Sequence, residues 1–564
     1  MALLAVAGTM VVPAPSAAHV RAIKQWYVSA AAKTAGNGSR RAPFQTLAAA
    51  EAASALGQQI VILPSPLTTP ALNGGIALKP DQTLIGAGPS VTGAALSSLP
   101  RIENTDKSSH NGDAIDLASG DRVENLVISD TYRGGIYGLN ATDVTIAGNN
   151  VSATNSSCKT GLLIVAFDLP TLVPGVPIPF VTGLPNGWGA IMLDENRGNS
   201  NITVSHNYVH DGTCSDGIDI RTSGTAKTKA SVADNLVTRL QQGTGQQSVL
   251  AIGMQATGNS SLNTRAIGNT ETYIGNVITD GEGDADSEGL FADTAGSAHL
   301  TEYASDNTFA HGLGHFSANC FEIVSSSGDP TTNVDFTDSR CYDVVGDILE
   351  ANNLAANSEM TFDVNHVFAE RSTFFGAPVW GEVEPGDDGD CMLDVTAGGG
   401  DSTTVVINHS ELEDCVADGL GVVNNVVNGH GPIKLVSFKI ENTQLTHNSL
   451  SNLRIANVTP ITALDGMIAN SNLAHSYGAP LVFEGLDPKG THEVLDFGGG
   501  ALHSPGDNCF FGGQPLTGEL IGYSVAAKHD WWGQAGGPTA TQLLKVNDDL
   551  LTTDPLAKAP TGTC

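Results

Sequence analysis

The chain has 564 residues, only 15% of them charged and 65 of them glycine, and its strong helix formers other than Ala and Leu are scarce. This excludes a helix-rich protein and favours a β-rich chain with many turns. Its formal net charge of -33, from 59 acidic and 26 basic residues, disfavours nonspecific attachment to nucleic acid or an anionic membrane, so a polyanionic substrate needs a local basic patch or bridging calcium.

At the start, an apolar run from Ala2 to Val12 followed by Ser16, Ala17 and Ala18 reads as the core and cleavage region of a secretory signal over residues 1–18. Its basic leading region is missing, which a truncated or misassigned start would explain. The run is too short to span a bilayer, and no later segment is long and apolar enough. The expectation is a protein secreted or held at the cell surface, without membrane insertion and without nucleic acid as a partner.

Further along, one pattern recurs: a β-rich segment, then Asn, one residue, an apolar residue, a short polar turn and another apolar segment. Instances are "VTIAGNNVSATNSSCKTGLLI", "ITVSHNYVHDGTCSDGIDI", "ASVADNLVTRL", "ETYIGNVITDGEGDADSEGLF" and "YASDNTFAHGLGHFSANCFEI", with Asn149, Asn207, Asn235, Asn276 and Asn307 in the Asn position. Looser copies follow around Asn408, Asn442 and Asn470. Short strands at such a period, with no helical periodicity, predict a solenoid whose coils stack as parallel strands. Within "GIDIR", alternation turns Ile218 and Ile220 inward and Asp219 and Arg221 outward. Asn suits the bend because it tolerates left-handed backbone and its amide bonds the next Asn in the stack.

The eight cysteines fit this register and an oxidising compartment. Aligning the first two repeats sets Cys158 almost level with Cys214, and neighbouring coils lie ~4.8 Å apart, within disulfide reach. The same logic pairs Cys320 with Cys341 and Cys391 with Cys415, leaving Cys509 for Cys564.

The coil pattern resembles the secreted right-handed parallel β-helix proteins of the pectate-lyase-like superfamily, from about Trp26 onward. The stretches "WYVSAAAKTAGNGSRRAPFQTLAAAEAASALGQQIVILP" and "GIALKPDQTLIGAG" are similar to their openings, and "KHDWWGQAGGPTA" and "DPLAKAP" to their closing segment. The resemblance implies an all-β, single-stranded right-handed parallel β-helix with a short N-terminal capping helix, expected within Phe44 to Leu56. Residues 19–100 then form the cap and first coils, 101–500 the β-helix with inserted loops, notably 165–190, and 501–564 the last coil and cap. Trp531 and Trp532 are placed to cover its apolar end.

β-Helix enzymes of this kind seat substrate along an outward-facing parallel sheet walled by inserted loops. The Pro-rich stretch from Val165 to Ala190 is the largest insertion, beside the coil carrying Asp216, Asp219 and Arg221, and its Trp188 offers a sugar-stacking face. Asp194 and Glu195 fall on a neighbouring coil, and Asp293 and Glu322 extend an acidic stripe. Paired carboxylates on adjacent coils suit glycoside hydrolysis; they also hold calcium, with an Arg or Lys as base for β-elimination, an arrangement that resembles the polysaccharide lyases on this fold. Asp194, Glu195, Asp216, Asp219 and Arg221 are the catalytic candidates, and Trp188, Asp293 and Glu322 the substrate-binding ones. A second acidic cluster, with Asp284, Asp286 and Glu288, is the calcium candidate. His206, His210 and Asp211 read as bend residues. A row of solvated polar side chains is the plainer account of any one of these positions. The expected activity is cleavage of an extracellular polysaccharide by a monomer, as lyase or hydrolase, with noncatalytic glycan binding or adhesion as the alternative.

Overall fold

The computed structural model describes residues 23–92, 97–168, 180–275, 286–313, 318–373, 389–424, 431–457, 461–485, 492–513, 516–518, 524–539, 543–544, 550–552 and 554–564. One coil shows how the chain runs: strand Asn199–Ser205, a bend, Tyr208–Gly212, a turn, Ile218–Thr222, then Lys227–Ala233, which pairs in parallel with Asn199–Ser205 so that Lys227 lies level with Asn199. Repetition builds three parallel sheets, called here one, two and three in that order, with 17, 12 and 15 strands among the described residues. The protein is a right-handed parallel β-helix, all-β apart from short helical turns near its N-terminus.

The helix expected within Phe44 to Leu56 spans Leu47–Ala53, with Thr46 capping the backbone N–H of Ala49 and Leu47 and Ala50 facing the core. At the far end Trp532 is buried against Phe510, ring centroids 5.2 Å apart. Alternate residues of every strand enter the lumen, so Ile218 and Ile220 stack with Ile191, Leu193, Ile252 and Met254 in one continuous core. The four cysteine pairs are bonded as the coil register requires, with Cα separations of 5.0, 5.8, 5.6 and 5.9 Å.

The bend between sheets one and two carries a ladder. Asn149 N–H and Nδ2 each donate to Asn207 Oδ1 at 3.0 Å, Asn207 does the same to Asn235, Asn235 to Asn269, and Asn269 to Asn307. Each Nδ2 also donates to a carbonyl, as Asn235 does to Val204 at 3.0 Å. Asn269, not the expected Asn276, holds this position, and Asn276 lies outside the described residues. Between Asn307 and Asn508 the acceptors are hydroxyls: Ser339, Ser410, Thr443 and Ser471 fill the slot, each one or two residues past the Asn marked in the sequence where one was marked, before Asn508 and Asp530 close the column. The ladder Asn is not itself left-handed. That conformation belongs to the residue before it, among them Gly148, His206, Asp234, Gly268 and Asp306; the ladder residue is selected for its buried amide.

Carboxyls also point into the lumen, among them Glu271, Glu302 and Asp394. Glu271 lies between Val237 and Phe309, Glu302 between Thr264 and Val334, and Asp394 between Ala351 and Val422. All are buried, and burial pushes each up to about 8. They stay uncharged at neutral pH.

Two outcomes follow from these interactions. Asn235→Ala strands donors and acceptors on two neighbouring coils and should lower unfolding free energy in urea by about 1–3 kcal/mol, whereas exposed Asn263→Ala should leave it nearly unchanged. For Glu302 the folded-state value is raised above the ordinary 4.5, so the folded chain holds the proton longer and stability falls as pH rises from about 4.5 through about 8. Glu302→Gln should flatten the decline in melting temperature across that window; an unchanged slope would count against a buried, neutral Glu302.

Candidate active site

Sheet three has an outer face on which two rows run along the helix. Asp116, Tyr137, Met192, Asp219, Gly253, Phe291, Glu322 and Glu350 are successive register partners in one. Leu139, Asp194, Arg221, Gln255, Asp293 and Val324 form the other. Asp194, Asp219, Arg221, Asp293 and Glu322 therefore share one face. Glu195 does not: it follows Asp194 in the same strand, so the alternation turns it to the other side, where it is buried and pushed up to about 7 by burial and then by Asp194.

Much of this face is covered. The insertion forms an antiparallel hairpin, Val165–Asp168 with Phe180–Leu184. Leu163, Val165, Leu184 and Trp188 pack with Met192, Leu250, Phe291 and Val324 in a second apolar cluster outside the barrel. The apolar content of the insertion explains the cover, since these side chains leave water only by lying on the sheet. Asp219 is consequently 0% exposed, closely flanked by Gly189 and Gly253, and neither carboxyl oxygen has a hydrogen-bond partner among the described residues. Burial, then the charge of Asp216, pushes its carboxyl well above the carboxylate range. Trp188 is 4% exposed, with Arg133 4.1 Å over its ring and Tyr137 edge-on at 5.3 Å, so its face is occupied by protein rather than open to a sugar.

Asp216 fastens the hairpin. It accepts from Asn186 Nδ2 at 2.7 Å, Gly187 N at 3.3 Å and Leu250 N at 3.1 Å, and burial pushes it up to about 8 despite these bonds. It belongs to a column two residues ahead of the sheet-three strands, in which Asp113, Asp347 and Asp390 likewise accept backbone N–H groups of a following coil, from Gly134, Gly389 and Asp418. The motif is legible as an Asp two residues before an apolar strand residue in "GDAIDL", "SDGIDI" and "GDILEA". Further along the face, Asp293 accepts from Gln255 Nε2 at 2.8 Å and Glu322 from Asn352 Nδ2 at 3.0 Å, both buried. Glu288 is buried in strand Asp286–Gly296; the side chain of Asp286, and Asp284, lie outside the description. Among the described residues no group of three or more His, Cys, Asp or Glu is placed to hold a metal. His210 and Asp211 sit on sheet two and its bend, 2.6 Å apart, away from this face.

The face opens toward the N-terminal end. There Asp116, 27% exposed at its side chain, lies 3.3 Å from His110 Nδ1, and His110 Nε2 lies 3.3 Å from Glu51. Burial, then the charge of Asp113, pushes Asp116 up to about 7 against the opposing pull of His110 and Arg133. Asp113 itself is clamped by Arg133, through Nε at 2.9 Å and a second guanidinium nitrogen, and by Gly134 N at 2.7 Å. Two coils on, Arg221 pairs with Asp194 at 3.2 Å, the arginine a quarter exposed. Among the described carboxyls that burial raises strongly, Asp121, Glu195, Asp216, Asp219, Glu271, Asp293, Glu302, Asp394 and Asp530 are buried; of these described residues Asp116 alone has an open side. Sequence reasoning passed over it, although "GDAIDL" repeats the spacing of "SDGIDI".

No family model and no curated protein matches the chain. Among solved structures it is similar to a DFA-IIIase from Arthrobacter chlorophenolicus A6, at 12% identity, covering 83% of this chain and 97% of that one, with a TM-score of 0.32. It is also similar to the catalytic unit of a thermostable GH87 alpha-1,3-glucanase from Streptomyces thermodiastaticus strain HF3-3, at 10% identity over 86% of this chain and 68% of that one, TM-score 0.32. A third is pectate lyase Pel9A, at 11% identity over 84% and 77%, TM-score 0.23.

Removing the Asp216 carboxylate strands three donors at the base of the hairpin. Asp216→Ala should cost at least about 2 kcal/mol in chemical denaturation and speed proteolytic nicking within residues 160–188; equal nicking rates in both forms would show that the hairpin is held otherwise.

Proposed function

We propose that the protein is an exported carbohydrate-active enzyme that hydrolyses glycosidic bonds of an extracellular polysaccharide. The observation that carries the reading is Asp116, a carboxyl both raised to about 7 and open to solvent, as a general acid working near neutral pH must be. Asp116 donates its proton to the leaving oxygen. Asp194 is the partner carboxylate that activates water, and half-buried Tyr137, its ring covered by Arg133 at 4.9 Å, lies between them on the sheet as part of the floor of the site. Asp116 and Asp194 are two coils and one residue pair apart, roughly 12 Å between Cα positions from strand spacing and rise. Side chains converging from that span suit the ~6.5–9.5 Å carboxyl separation of inverting hydrolysis better than the ~5 Å of retention.

Hydrolysis is favoured over β-elimination because the two arginines nearby, Arg133 and Arg221, are each held by a carboxylate, and a guanidinium remains protonated in proteins. Four disulfides support export to an oxidising compartment. Calcium enters the reading only through a polyanionic substrate.

The test is mass spectrometry of products from a panel of neutral polymers and polyuronates, with calcium and with chelator. Fragments that have gained water are expected, with kcat/KM falling above about pH 7 as Asp116 loses its proton. Asp116→Asn should slow release by about 100-fold or more without changing the melting profile. Fragments short of one water would establish elimination instead, and binding without fragments from any polymer would establish a noncatalytic glycan-binding protein.

A further inference from the structure

The -33 charge is not spread evenly. On sheet one, four consecutive strands, Asn199–Ser205, Lys227–Ala233, Ser261–Ile267 and His299–Ser305, pair in register. Their outward residues include Lys227, Lys229, Arg265 and His299, all exposed, interleaved with Asn199, Asn201, Ser261, Asn263 and Thr301. The turns that feed these strands add exposed Arg197. Over residues 196–205, 223–233, 257–267 and 296–305 the only carboxyl is Glu302, and it points into the lumen, buried. The nearest acids lie at its margins: Asp143, on the preceding coil, accepts from Asn201 Nδ2 at 2.6 Å, Asp329, on the following coil, accepts from Ser297 Oγ at 2.6 Å, and Asp234, Asp306 and Asp335 fall at the bends and on the following coil.

None of Arg197, Lys227, Lys229 and Arg265 is ion-paired among the described residues, whereas Arg133, Arg221, Arg239, Arg371 and Arg454 all are. Arg265 lies 5.1 Å over the ring of Tyr303. In a chain with more than twice as many acids as bases, four sheet-one strands without one outward carboxyl, with four unpaired cations on them and their turns, form a locally cationic surface on an acidic molecule.

The geometry points to a binding surface for a linear acidic polysaccharide on this face of sheet one, separate from the cluster around Asp116 on sheet three. Lys227 and Lys229 project from one strand roughly 7 Å apart, and Arg265 follows one coil on, roughly 8 Å from Lys229, by strand rise and spacing. A sparse row of this kind matches a chain with one carboxylate or sulfate every sugar or two, and the amides and hydroxyls between the cations bond sugar hydroxyls. A nucleic acid duplex, with a charge every ~1.7 Å of axis, would bring its dense charge against the acidic remainder of the protein. The surface would hold the protein on an acidic matrix whether or not that matrix is cleaved.

The experiment uses the full chain and fluorescently labelled polygalacturonate oligomers, with neutral dextran oligomers and a DNA duplex of similar length beside them. Fluorescence anisotropy at low salt should show polygalacturonate binding that weakens as salt is added, and no dextran binding at these sites. Replacing Lys227, Lys229 and Arg265 together by Ser should weaken binding by about tenfold or more, while the charge-retaining K227R/K229R pair binds as the parent does. Removing Arg40, Arg41 and Lys107, exposed cations elsewhere, should change binding little. Equal binding by parent and the triple Ser variant, or DNA binding as tight as polygalacturonate, would overturn the assignment, as would sedimentation showing that the patch mediates self-association instead. Turnover is read separately with Asp116→Asn, which should retain this binding.

Discussion

The backbone of a stacked coil has to find its hydrogen-bond partners in the coils above and below, and the bends are where strand pairing cannot supply them. The buried Asn column from Asn149 to Asn307 solves this: along it a side-chain oxygen accepts from the preceding rung, while the amide nitrogen donates onward to the next rung's side-chain oxygen and back to a backbone carbonyl of the preceding coil. The solution imposes a sequence rule on two positions, a left-handed residue followed by a small acceptor-bearing one. Because every coil is thereby fixed against the next, a side chain's address on the surface is set by its offset from the bend, and residues far apart in the chain become neighbours in straight rows.

That lattice gives three different lives to carboxylates that look alike in the chain. Those entering the lumen, such as Glu302, are stripped of water and kept neutral. Those two residues ahead of a sheet-three strand, Asp113, Asp216, Asp347 and Asp390, act as acceptors for the next coil's backbone. Those on the outer face are available for chemistry only where nothing covers them. The position within the coil, not the residue type, separates the three.

Much of this was readable before any coordinates. Period and turn chemistry identified the solenoid, alternation placed Ile218 and Ile220 inside and Asp219 and Arg221 outside, and the cysteines fell on adjacent coils because ~4.8 Å spacing leaves little choice. The misplacement of Asn276 has a simple cause: Asn276 is followed by apolar Ile278 at the marked spacing, whereas Asn269 is followed there by Glu271, so the pattern skips the true rung and only cross-coil hydrogen bonding identifies Asn269. The cover over Asp219 was not readable, since it depends on where a long insertion folds back, a tertiary choice to which local pattern is blind. Trp188, similarly, reads in the sequence as an exposed platform because nothing local announces that Arg133, over its ring, and Tyr137, edge-on to it, both some fifty residues earlier, will cover it.

A raised carboxyl is often treated as the mark of an active site, and here that criterion fails by excess. Burial is the largest cause that raises Asp219, Glu271, Glu302 and Asp394, and none of them can meet a substrate. In a narrow solenoid with polar sequence, desolvation is cheap to find; what is scarce is desolvation sufficient to hold a proton combined with a path to solvent. Asp116 meets both conditions because it lies at the N-terminal edge of the outer face, beyond the apolar cover of the hairpin yet backed by Asp113 and His110. The same edge places Arg133 across the rings of Tyr137 and Trp188, so the end of the hairpin and the wall of the open cluster are one packed unit. Accessibility, imposed by where the insertion stops, selects the chemistry from a sheet full of equivalent side chains.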